Sequence, residues 1–185
     1  MSPFKLLGPS FCALLAMLAI CPQASALPAA ATIKASSYVV NTTLGLAQGV
    51  ATLRNNVATS AVRFTLPYAQ APIGGLRFAN PQPAAAFKGT YDATVTPPSC
   101  YGSEGARGGN DPSEDCLYIN VYTPANACST SKLGVLVWAH GGSFIGGSST
   151  AAGLDGSALA TSQNLVVVTI QYRLGESHTT VQHDF

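Results

Sequence analysis

K-L-G-V-L-V-W-A-H-G-G-S-F-I-G-G-S-S, residues 132–149, says more about this chain than any other stretch. Its apolar run Val135–Trp138 has strand length and leads directly into His140-Gly141-Gly142. Adjacent glycines let a backbone turn with positive φ and approach a ligand without Cβ hindrance. A turn of that kind can aim main-chain N–H groups at a developing oxyanion, often the strongest single contribution to acyl-transfer catalysis.

Working outward, the strand-like runs are Tyr38–Val40, Val50–Leu53, Val62–Leu66, Leu117–Thr123, Val135–Trp138 and Leu165–Tyr172, rich in Val, Ile, Thr and Tyr. One short helix is predicted over Asp155–Ser162, with Asp155 as its N-cap. Val135–Trp138 and Leu165–Ile170 are nearly continuous apolar strings, the pattern of strands buried on both faces beneath helices. The chain does not contain the helices needed to cover them. The expected fold class is therefore α/β, and the fold is expected to be incomplete. Between Leu66 and Pro81, three prolines and Gly74-Gly75 predict an ordered, irregular loop.

Residues 1–26 read as a signal peptide. Lys5 is the only charge there, the apolar core runs Phe11–Ile20, and Ala24-Ser25-Ala26 fits the small-x-small cleavage rule. That core is well short of the ~20 residues a spanning helix needs, so no transmembrane segment is expected. The expected location is secreted and extracellular. Cleavage would leave Cys100, Cys116 and Cys128, which in an oxidising compartment suggests one disulfide and one leftover thiol. Pairing of Cys100 with Cys116, around a Gly-, Ser- and Asn-rich loop, is the expected case. Cys128 is then free or has a partner further along. Asn41-Thr42-Thr43 is a glycosylation sequon. The net charge is +1 with only 9% charged residues, and no basic stripe suggests nucleic acid as a partner. The sequence has no metal-ligand cluster, phosphate-cradling loop or dinucleotide fingerprint, so no metal or cofactor is expected.

Four segments then occur in order: F-T-L-P-Y-A-Q-A-P-I-G-G-L-R-F (64–78), S-E-D-C-L-Y-I-N-V-Y-T-P (113–124), V-L-V-W-A-H-G-G-S-F (135–144) and V-V-V-T-I-Q-Y-R-L-G (166–175). Together they resemble the N-terminal portion of the type-B carboxylesterase/lipase family, the cholinesterase-like branch of the α/β-hydrolase fold. The resemblance implies a small N-terminal antiparallel sheet plus the first strands of the central sheet, within residues 27–175. It places the oxyanion-hole donors at the backbone N–H groups of Gly142 and Ser143, with Gly141 supporting the turn. Ser143 stands where the family usually has Gly. The resemblance also implies a Cys100–Cys116 disulfide and a structural ion pair between Arg77 and Glu114. Asp115 reads as a loop hydrogen-bonder, and Trp138, Phe144 and Tyr172 as aromatic neighbours of the site or core.

After Gly175 the pattern departs, leaving a divergent tail, residues 176–185. Gly175-Glu176-Ser177-His178-Thr179 imitates a G-E-S-x-G nucleophile elbow. However, the fifth position is Thr rather than Gly, and the order Ser177, His183, Asp184 is not the Ser, acid, His order of this fold. His140 is part of the turn and comes too early to be the general base. The resemblance thus implies a secreted serine carboxylic ester hydrolase acting on an ester or lipid small molecule. This chain carries the oxyanion turn but no triad member, and is expected to be catalytically incompetent as written. An alternative from another class is a non-catalytic cholinesterase-like binding or adhesion module, against which the intact His140-Gly141-Gly142 weighs. A third is an unstable product whose uncovered strands aggregate.

Overall fold

The structure is a computed structural model that describes residues 38–54, 57–102, 109–128 and 130–175. The signal segment, Ser177, His178, His183 and Asp184 lie outside the described residues. The N-terminal strands β1 (Tyr38–Thr42) and β2 (Gly45–Arg54) form a tight hairpin. Its loop is closed by Thr42, whose hydroxyl donates to Gly45 O at 2.8 Å and accepts from Leu44 N at 3.1 Å. This is the local competition for backbone groups that draws Thr into turns. Strand β3 (Val57–Pro67) pairs antiparallel with β2, with a register shift between Ala51 and Leu53.

Three two-residue strands follow: β4 (Tyr91–Asp92), parallel to β2, and β5 (Ser99–Cys100) with β6 (Pro112–Ser113), which pair with each other. The centre of the main sheet is β7 (Tyr118–Pro124), antiparallel to β3. Then come β8 (Val135–Ala139), the helix α1 (Ser157–Ser162) and β9 (Val166–Ile170). The sheet order is β1-β2-β3-β7-β9-β8, antiparallel throughout except that β8 runs parallel to β9. A parallel neighbour requires a crossover, and α1 lies on that connection.

The core has two sides because alternate residues of β7 and β9 point to opposite faces. On one side Phe64, Val62, Ile119, Val121, Val166 and Val168 pack with Val40 and Ala47. On the other, Ala160 of α1 seals Tyr122 and Val167. Phe64 is fully buried, so truncating it to Ala would cost about 3–5 kcal/mol.

The observed elements differ from expectation in definite ways. The first three strands are longer than their apolar runs, because antiparallel pairing continues through polar residues such as Thr52 and Thr59, whose hydroxyls bond each other. The helix starts two residues late. Asp155 still accepts from Ser157 N at 2.8 Å, but Gly156 is the residue that flanks the first turn. The shortage of covering helices falls on β8. Val166–Thr169 of β9 are buried, whereas Val135, Leu136 and Val137 are 46%, 39% and 47% exposed. β8 is the sheet edge, and α1 packs over β3, β7 and β9.

Candidate active site

At the end of β8 the chain enters the turn His140–Gly147. Three consecutive residues take positive φ there: Gly142 at 121°, Ser143 at 53° and Phe144 at 62°. Gly142 is required. An added Cβ would lie 2.0 Å from Gly146 O, and its φ is one that L-residues rarely adopt. For Ser143 and Phe144 the left-handed region costs about 1–2 kcal/mol each, so the surroundings must enforce it. The carbonyl of Gly142 accepts from Ile145 N at 3.0 Å and Gly146 N at 3.2 Å, which folds the turn back on itself. Among the described residues no acceptor faces the amides of Gly142 and Ser143. They take no part in sheet pairing, and Ser143 is exposed. Successive N–H groups in such a conformation form an anion-binding concavity. Gly141 leaves open space where a Cβ would stand.

The turn is held by the chain that leaves β9. Gly175 N donates to Phe144 O at 2.6 Å, and the Tyr172 hydroxyl donates to His140 O at 2.5 Å. The Tyr172 ring stacks on the His140 ring with centroids 4.3 Å apart, while Phe144 meets Tyr172 edge-on at 6.2 Å. Nδ1 of buried His140 lies 2.8 Å from Gly141 O, a carbonyl that can only accept, so Nδ1 carries the hydrogen. Nε2 is then the bare nitrogen, buried and without a partner among the described residues. Burial lowers the His140 pKa, and the bond to Gly141 opposes that shift more weakly. His140 is thus a neutral prop of the turn, not a base facing solvent.

The remaining residues singled out in the sequence lie nearby but outside the turn. Cys100 and Cys116 form a disulfide whose sulfurs are packed against Leu117, Leu174 and Ala69. Arg77 Nε lies 2.7 Å from Glu114 Oε1, with side chains 54% and 37% exposed. At that exposure the pair is worth about 0–1 kcal/mol. Asp115 N donates to Ser113 Oγ at 3.1 Å, and the Asp115 charge adds to burial in raising the Tyr118 pKa. Asn41 sits in β1 with its side chain exposed. Trp138 is half-buried, and Phe144 is 61% exposed rather than part of the core. Cys128 stays outside the disulfide, with its thiol 3.0 Å from Thr130 Oγ1.

A cleft of about 660 Å³ is lined by residues that include Ile73, Arg77, Phe78, Cys100, Tyr101 and Glu114. Neither Gly142 nor Ser143 lines it, so the donor pair and the cleft are separate features. Among the described residues no group of His, Cys, Asp and Glu side chains could hold a metal ion.

Comparison with known proteins fixes what this architecture is. Residues 36–176 match the model of the carboxylesterase family. The chain belongs to that family. Rat carboxylesterase 1D is 45% identical over 157 residues, covering 76% of this chain and 27% of the rat protein. The precursor of the medium-chain fatty acyl-CoA hydrolase of Anas platyrhynchos is 43% identical over 156 residues, covering 77% and 28% respectively. Among solved structures, a Geobacillus stearothermophilus carboxylesterase at pH 6.8 superposes with a TM-score of 0.62 at 36% identity. That match covers 74% of this chain and 27% of the bacterial one. The fold is accordingly α/β-hydrolase, present as a partial mixed sheet with one α-helix among the described residues. The chain spans about a quarter of the length of these carboxylesterases.

Sequence reading found the turn but missed what secures it. Gln171, Ser148 and Ser149 are fully or almost fully buried polar residues around the turn's exit. A glutamine ending an apolar strand, V-V-V-T-I-Q, was the available signal.

Proposed function

We propose that this chain supplies the oxyanion-binding turn of a secreted serine carboxylic ester hydrolase. The observation carrying this reading is that the amides of Gly142 and Ser143 have no acceptor among the described residues, on a turn whose backbone is strained and anchored. In the complete reaction a serine oxygen bonds to the ester carbonyl carbon and gives its proton to a histidine. The carbonyl π pair moves onto oxygen, and the two N–H groups hold that oxyanion. Collapse then expels the alcohol, which takes the proton from the histidine, and water releases the acid by the same route. Removing one such donor typically costs about 3 kcal/mol of barrier.

In this reading none of the described residues serves as nucleophile, acid or base, and Ser177 is not assigned as the nucleophile. The described residues by themselves are then not expected to turn over an ester, because nucleophile and base act as a unit. Residues 1–26 direct it to the secretory route, where Asn41 is open to glycosylation and Cys100–Cys116 forms.

The test has two arms. Titration with butyrate, followed by amide NMR, is expected to move the Gly142 and Ser143 protons downfield and leave Gly75 in place; no movement at either would sink the oxyanion reading. Hydrolysis of p-nitrophenyl butyrate is expected to stay at the buffer rate. Turnover abolished by Ser177→Ala would overturn the missing-nucleophile reading instead.

A further inference from the structure

Beside the turn lies a buried polar network that the proposed chemistry does not use. Gln171 is 0% exposed, and so are Asn120, Ser99 and Ser149. The Gln171 side chain is fully engaged. Its Oε1 accepts from Ser149 N at 2.7 Å, while Nε2 donates to Ser148 Oγ at 3.1 Å and to Pro98 O at 3.3 Å. Its backbone is tied as well: N donates to Tyr118 O at 2.9 Å, and its carbonyl accepts from the Tyr68 hydroxyl at 2.9 Å. Burial pushes the Tyr68 pKa up to about 12, against the nearby charge of Arg173, so that hydroxyl stays a donor.

The network continues in two directions. Ser99 Oγ donates to Ser148 Oγ at 3.0 Å, reaching the residue next to the Cys100–Cys116 bridge. Asn120 Nδ2 donates to Ser149 Oγ at 3.3 Å and Thr169 Oγ1 at 3.1 Å, while its Oδ1 accepts from Thr65 at 2.9 Å. Ser148 and Ser149 directly follow Gly147, whose φ of 111° brings the turn's exit against its entrance. There an added Cβ would lie 2.5 Å from both Gly141 O and His140 Nδ1. Fixing Ser148 and Ser149 therefore fixes the exit of the donor turn against the central strands.

We infer that Gln171 is a positioning residue: its carboxamide clamps Ser148 and Ser149 to the end of β9 and so holds Gly142 and Ser143 in their positive-φ turn. A buried network of this kind rigidifies only when every member is satisfied. The Gln171 carboxamide is the member that reaches both serines and Pro98. The catalytic meaning of this clamp rests on the oxyanion reading, but the clamp itself does not.

The test uses the full chain and NMR-detected hydrogen exchange. Gln171→Met keeps the size and removes both polar ends. It is expected to speed exchange at Ile145, Gly146 and Ser149 by about tenfold or more, the effect of losing the three carboxamide hydrogen bonds. The Gly142 and Ser143 amide shifts should move, while exchange across β3 and β7 stays as in the parent. Unchanged exchange and shifts at the turn, or an equal rise in every strand, would overturn the clamp. Gln171→Glu supplies a second signature. A protonated carboxyl reproduces one acceptor and one donor, so native turn shifts should return at low pH and vanish as the group ionises. Should Gln171→Met unfold throughout, Ser148→Ala decides, since it deletes only the shared hydroxyl. Thr150 is left out of that reading because its N–H bonds Ser148 Oγ directly at 3.1 Å; faster exchange at Ile145, Gly146 and Ser149 supports the clamp, and parental exchange there refutes it. Because no hydrolysis is read, failure here leaves the butyrate titration and esterase assay to judge the proposed function separately.

Discussion

Replacing Gly142 by Ala is the sharpest single perturbation of the turn. The new methyl carbon would lie 2.0 Å from Gly146 O and 2.8 Å from Gly146 C, so the backbone itself must move. The strain has two parts. A side chain at φ 121° is disfavoured, and moving Gly146 breaks the bonds that Gly142 O accepts from Ile145 N and Gly146 N. Left-handed strain of about 1–2 kcal/mol and roughly 1 kcal/mol per lost bond give about 3 kcal/mol, or ~150-fold easier opening. Amide exchange at Ile145 and Gly146 reads that opening directly, with β7 as the internal reference. Gly141→Ala is the control, because no heavy atom lies within 4 Å of its added Cβ. It should stay within about 0.5 kcal/mol of the parent. If both variants exchange alike at Ile145 and Gly146, the steric account of the turn is wrong.

Other expectations follow from the same contacts. Cys116→Ser opens the bridge to Cys100, 16 residues away, and should lower unfolding stability by about 3 kcal/mol in a urea titration. Because burial lowers the His140 pKa, the folded state binds its proton less readily than the unfolded chain. That difference leaves stability intact above the ordinary histidine range and removes it as pH falls through that range toward the lowered value. Protection factors at Ile145 and Gly146, which divide out the base-catalysed intrinsic rate, should therefore fall between pH 7 and pH 5, and His140→Phe should flatten the trend. Val137→Lys on the exposed edge strand should reduce hydrophobic-dye fluorescence and light scattering while moving the urea stability by less than about 0.5 kcal/mol. Expression through a secretory route should give a glycosidase-sensitive mobility shift that Asn41→Gln abolishes.

What could be read from the sequence was whatever local chemistry dictates. Val135–Trp138 announces a strand through four consecutive apolar residues, and the two glycines after it announce a turn that needs unusual backbone angles. Asp155 was legible as a helix-initiating acceptor, though the helix begins at Ser157 because Gly156 takes the flanking position. The strand ends were less legible, since Thr52 and Thr59 join the sheet through each other rather than through apolar burial. The exposure of β8 was partly legible, because the sequence holds too few helices to cover both apolar strands. Which of the two stays uncovered was not, since Val135–Trp138 and Leu165–Ile170 read alike. Gln171 was hidden because its partners are remote in sequence, Ser149 by 22 residues and Pro98 by 73, and no periodicity encodes such pairs.

The contacts around His140–Gly147 explain how so unusual a backbone persists. Ser143 and Phe144 both sit in a region that costs about 1–2 kcal/mol per residue, so an unsupported loop would relax to ordinary angles. Here the relaxation is opposed at three places. His140 is stacked and bonded at the entrance, Phe144 O is bonded by Gly175 at the tip, and Ser148–Ser149 are clamped at the exit. All three supports come from the five residues Gln171–Gly175, which leave the buried strand β9. None of them requires a nucleophile, a base or a substrate. Electrostatic catalysis draws its strength from donors that need not reorganise when charge appears, and a turn braced from behind by its own sheet meets that condition before any reacting group arrives.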